Sequence, residues 1–106
     1  MPKYLVQASY TADGLKGLQK EGAASRVQQA SRVAEALGGK CEAFYWTFGD
    51  QDVVAIFDVP STVDMAAIAI AVSASGTIRA RTTALLTAGE TDAALKKSVD
   101  FRPPGR

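Results

Sequence analysis

No histidine occurs among the 106 residues, and only one cysteine. Without histidine the chain lacks the side chain that ordinarily titrates near neutral pH and the commonest protein ligand of zinc, copper and iron. Ser-His-Asp and Cys-His nucleophile arrangements are therefore excluded within one chain, and neither a metal nor a cofactor is expected. A lone Cys41 cannot close an intrachain disulfide, which fits a reducing compartment and a cytoplasmic location. A marked excess of either charge is also missing. Twelve basic and eleven acidic residues leave a net +1, so no global field draws the chain to nucleic acid or to an anionic membrane. The N-terminus has no signal-peptide-like apolar run. The longest greasy segment, Met65 to Val72, falls short of the roughly 20 residues that span a bilayer.

What is present suffices for one compact domain. At 47% hydrophobic and 22% charged the composition is that of an ordinary soluble globular protein. "KYLVQASY" (Lys3–Tyr10) alternates as a strand, and "TADG" breaks it, with Thr11 or Asp13 placed to cap a helix. That helix is expected to run to about Leu37, with Gly22 as a place where it can loosen. Its clearest stripe is Val27, Ala30, Val33, Ala34 and Leu37, and Gly38-Gly39 stops it. Strands are expected over Cys41–Phe48 and Asp52–Val59, joined by "GDQ" as a hairpin turn. Ser61-Thr62-Val63-Asp64 reads as a helix cap, and the helix runs to about Ser75 before Gly76. Thr77–Thr87 is a β-branched fourth strand. Residues 1–90 thus form the domain, and 91–106 a short helix with a basic, proline-fixed tail.

The order β-α-β-β-α-β is that of an α+β, ferredoxin-like sandwich with a four-stranded antiparallel sheet. Right-handed crossovers put both helices on one face and leave the other bare. Phe44, Trp46 and Phe48 alternate with Ala43, Tyr45 and Thr47, and Val53, Ala55, Phe57 and Val59 with Val54 and Ile56. Both faces of this hairpin are apolar, whereas a sheet with one wet face alternates apolar with polar. Four such strands cover roughly 400 Å² in plan. Monomers rarely expose an apolar patch of that size, so the sheet is expected to pack against that of an identical subunit. The competing arrangement folds the C-terminal segment, with Leu95, Val99 and Phe101, over the bare face.

Five stretches, "MPKYLVQASYTADGLKGL", "RVAEALGGK", "FYWTFGDQDVVAIFDVP", "GTIRARTTALL" and "FRPPGR", together resemble the GYD-domain family. Gly49 and Asp52 match its Gly-Tyr-Asp signature, and Gln51 stands where tyrosine is usual. The resemblance implies the ferredoxin-like fold and a dimeric α/β-barrel association, and it implies no particular reaction.

Several groups carry candidate chemistry. Asp50 and Asp52 offer oxygen ligands to a hard cation, but two acids at a turn are better explained as turn residues. Arg79 and Arg81, two apart on a strand, share a face and with Thr83 offer a carboxylate or phosphate site; the plainer reading is a charged edge strand. Arg26 resembles a recurrent family position, although a helix-surface arginine is ordinarily a solvated residue or a salt-bridge partner. Tyr45 and Trp46 point to opposite faces and form no single aromatic box. Trp46 reads as core or interface, with room for an apolar pocket beside it. Pro2, exposed by loss of Met1, would present an amine of the kind tautomerases use as a base, with Arg79 or Arg81 nearby. Aromatics without basic density argue against nucleic acid. The residues point to an oligomeric small-molecule-binding or structural module. The alternative is a cofactor-independent monooxygenase or isomerase/tautomerase working between sheet and helices. Trp46, Asp52, Arg79 and Arg81 are its first suspects.

Overall fold

Lys3–Tyr10 forms β1 in a computed structural model that describes residues 2–106. Its alternation is as expected: Tyr4 and Ala8 are buried, with Val6 and Tyr10 packed beside the same core. Thr11 then caps α1 (Ala12–Glu21), its hydroxyl accepting from the Gly14 amide at 3.2 Å. The Thr11 amide donates to the Thr77 carbonyl at 2.9 Å, which draws α1 against the last helix–strand turn. A Cβ at Gly14 would overlap that carbonyl oxygen, so glycine is required by close approach.

The single long helix expected from the pattern is two helices. Gly22 takes φ +94°, outside the right-handed helical region, and α2 (Ala23–Ala36) starts afresh beyond it. The stripe of α2 turns Ala30, Val33 and Ala34 towards the sheet. β2 (Lys40–Trp46) and β3 (Val53–Asp58) are shorter than the expected strands. Phe48 lies beyond β2 and is fully exposed, so it extends neither face. α3 (Thr62–Ala74) begins on the expected Ser61 cap, and β4 (Ile78–Leu85) and α4 (Ala88–Leu95) follow. α4 starts before residue 90 and so spans the domain boundary drawn from sequence.

The fold is α+β. One open sheet runs in the order β2-β3-β1-β4 with every neighbouring pair antiparallel. Helices α2 and α3 lie on the same face: Ala34, Met65 and Ile68 join Tyr4, Ala8, Val53, Ala55 and Phe57 in one core cluster. Phe44 and Trp46 pack against that cluster from β2. A register shift between Cys41 and Ala43 sets Ala43 opposite Ile56 and Phe44 opposite Ala55. By alternation the helix-free face carries Ala43 and Tyr45, Val54, Ile56 and Asp58, Lys3, Leu5, Gln7 and Ser9, then Arg79, Arg81, Thr83 and Leu85. An apolar lane of Leu5, Ala43, Tyr45, Val54 and Ile56 thus borders a polar lane along β4 and is closed at one end by Lys3, which pairs with Glu42 at 2.7 Å and Asp58 at 3.3 Å.

The C-terminal segment does not fold over this face. No residue of α4 is buried, and Leu95, Val99 and Phe101 are all exposed. The radius of gyration is 16.8 Å, against about 13 Å for a compact chain of this length.

Candidate functional site

Small side chains face one another across the two layers. Ala8, Ala55 and Ala80 look up from the strands, and Ala30 and Ala69 look down from α2 and α3. Sheet and helices are held apart by larger neighbours such as Phe57, Met65 and Ile68, so the alanines leave a cavity of about 110 Å³ between them. Its wall is almost wholly apolar, and its polar groups are Tyr10, Arg26, Gln29 and Thr82. A second hollow of about 180 Å³, lined by Asp13, Glu21 and Thr77 among others, shares Tyr10, Arg26 and Ile78 with the first. Tyr10 and Arg26 therefore stand where the apolar space meets the polar one.

Tyr10 is held from several directions. The Tyr10 ring stacks on Trp46 with centroids 5.8 Å apart and planes 15° from parallel. Trp46 is braced in turn by Phe44 at 5.5 Å. The Tyr10 amide donates to Asp52 Oδ2 at 2.9 Å, which fixes the backbone at the end of β1. Burial pushes the Tyr10 phenol above its ordinary pKa of 10.0, and the Arg26 guanidinium beside it opposes the shift. Tyr10 is thus a neutral hydrogen-bond donor throughout the physiological range. Arg26 sits 3.7 Å from Glu21 across the Gly22 break, a loose and partly exposed pair that costs little to open. Such a pair suits recognition of a polar group at the cavity mouth.

The four residues singled out from sequence do not come together. Trp46 and Asp52 reach the cavity through Tyr10, one by stacking and the other by a hydrogen bond. Arg79 and Arg81 stand opposite Ser9 and Gln7 on the helix-free face of an edge strand. The Asp52 carboxylate holds the Tyr10 amide, its own amide donates to the Ala8 carbonyl at 2.8 Å, and its carbonyl accepts from Thr47 at 2.7 Å. Those bonds make it the clasp of the β2–β3 connection, as the turn reading holds. Pro2 lies five residues before Gln7, which faces Arg81, or about 17 Å along an extended strand. Met1, on which that reading depends, lies outside the described residues. Nothing in the sequence pattern singles out Tyr10, and Arg26 has the salt-bridge partner that is one of the two expectations for it, Glu21.

With this geometry in place, the chain matches the GYD domain over residues 4–95. The chain belongs to the GYD domain family. No curated protein and no solved structure matches it. The matched stretch of this GYD protein holds every residue of the cavity wall and extends through α4. At the signature, Gln51 Oε1 accepts from Ser9 Oγ at 3.3 Å, tying the β2–β3 connection to β1 beside the clasp made by Asp52.

Proposed function

We propose that this GYD protein is an oligomeric small-molecule-binding module of ferredoxin-like architecture, its sheets paired as in a dimeric α/β barrel. The observation that carries the binding reading is the apolar space of about 110 Å³ opening past Tyr10 and Arg26. An apolar cavity of about 150 Å³ in another protein stays dry and takes benzene, so the ligand body is a single ring or a short aliphatic chain. Its polar end meets the Tyr10 hydroxyl and the Arg26 guanidinium. The strand order β2-β3-β1-β4, with both covering helices on one face, supports the ferredoxin-like reading. The apolar lane of Leu5, Ala43, Tyr45, Val54 and Ile56 supports the pairing, with Arg79, Arg81 and Thr83 as its polar margin.

The enzymatic alternative rests on the same two groups. A neutral, half-buried phenol beside a cation can donate a proton to an oxyanion developing on a bound ring, which is the requirement of a cofactor-independent isomerase or monooxygenase. Fluorobenzene titrated into the protein and followed by fluorine NMR tests the binding reading. Saturable binding, with a matching change in Trp46 fluorescence through the Tyr10 stack, is expected. Absence of saturable binding contradicts it. Turnover of any member of a panel of phenols and enolisable ketones, lost in Tyr10→Phe, separates enzyme from binder.

A further inference from the structure

The residues after β4 make an apolar demand that neither the cavity nor the sheet meets. Leu86, Leu95, Val99 and Phe101 are 66%, 77%, 78% and 70% exposed, and they share an arm of residues 86–106 in which no side chain is buried. Helix α4 within it has eight residues. Helices that short are marginal in water on their own. Both bonds of a Thr87–Glu90 capping box secure its start, yet the helix buries nothing within its own chain.

Helix α3 has the complementary defect. After Asp64 its sequence carries no charge, and Met65 and Ile68 fill the core side. The far side shows Val63 at 76% and Ile70 at 69% exposure, with Ala66, Ala67 and Ala74 between and beyond them. A helix that is apolar all round belongs inside a core, not at a surface.

We propose that the arm of each chain crosses to a second copy and seats Leu95, Val99 and Phe101 along the outer face of that copy's α3. The exchange rests on the reading that the sheets pair. Two sheet faces of roughly 400 Å² bury about 800 Å² together, the size of a packing contact, and stable complexes bury about 1,200–2,000 Å². Two exchanged arms, each with exposed large apolar side chains, bring the total into that range. Reach is sufficient. Residues 86–87 give about 7 Å extended and 88–95 about 12 Å as helix, which brings Leu95 to about 19 Å, and 96–101 add up to about 20 Å. One sheet spacing plus one helix layer is about 20 Å. Reciprocal exchange is closed by a two-fold axis and does not propagate.

Sedimentation equilibrium of the full chain, and of the full chain bearing Leu95→Ser, Val99→Ser and Phe101→Ser, tests the clamp. Because these side chains are exposed within one chain, the substitutions leave each subunit folded, which circular dichroism verifies. The dimer dissociation constant is expected to rise by about 100-fold or more. In a Cys41→Ser background, Ile70→Cys with Val99→Cys is expected to oxidise to a disulfide between chains. An unweakened dimer of the serine variant overturns the clamp and leaves the sheet pairing standing. A native chain that is monomeric at every concentration overturns both. A disulfide within one chain shows the arm closing on its own α3, and a weakened dimer with no disulfide removes α3 as the seat; either result overturns the proposal.

Discussion

Ala30→Leu tests whether the space between sheet and helices is kept open at the expense of stability. The space of about 110 Å³ opens past Tyr10 and Arg26, so the cost of a sealed void, about 24 cal/mol per Å³ or about 2.6 kcal/mol in all, is its upper bound. Leucine adds three carbons at a wall position on α2, and each buried methylene is worth about 0.8 kcal/mol, or about 2.4 kcal/mol for a perfect fit. Imperfect shape reduces this, and helix propensity barely changes between the two residues. The expected gain is about 1–2 kcal/mol, or about 5–10 °C in Tm. Urea and thermal unfolding at one fixed protein concentration measure it, since association also shifts Tm. Fluorobenzene binding is expected to vanish in the same variant. Destabilisation with binding intact would refute the reasoning, because the space would then be neither empty nor the place where the probe goes.

Gly14→Ala forces a methyl group into the Thr77 carbonyl oxygen and is expected to lower stability by about 2 kcal/mol or more in urea unfolding. Tyr10 is one of three tyrosines, and in an ultraviolet titration it is expected to ionise above its ordinary 10.0 because burial disfavours the phenolate. The stabilisation from this neutral phenol is present below pH 10.0 and is lost as pH rises through the folded value. Arg26→Gln removes the opposing cation and is expected to raise the Tyr10 midpoint further. Glu90 is held below its ordinary 4.5, first by the Thr87 backbone bond and then by the Thr87 side chain. Its support of α4 is therefore present above pH 4.5 and lost as pH falls through the folded value, and the Thr87 amide shift in NMR reports the midpoint. A midpoint at or above 4.5 contradicts the cap.

Local chemistry made much of this fold legible. The Thr11 and Ser61 caps, the Gly38 and Gly76 stops and the alternation of β1 depend on neighbours in sequence, and each stands where the residues place it. The helix break at Gly22 was readable only as a weak point, because a glycine's φ is decided by what the two flanking helices pack against. Alternation put Phe44 and Trp46 on one side but could not say which, since both faces of the hairpin are apolar. Phe48 fell outside the strand because the bonds of Asp52 to β1 and Thr47 end the pairing at Trp46. The pairing of Tyr10 with Arg26 was not legible, since it depends on the angle at which α2 crosses the sheet. The cavity was hidden for a related reason: single alanines on five separate elements become a void only when those elements are stacked.

In the proposed assembly the helix-free face, with Leu5, Tyr45, Val54 and Ile56, is buried against a second copy. Sedimentation equilibrium of the native chain across nanomolar to micromolar concentration tests it most directly. A mass of twice the 11.1 kDa chain or more is expected at micromolar concentration. A folded, soluble species that holds 11.1 kDa throughout contradicts the account.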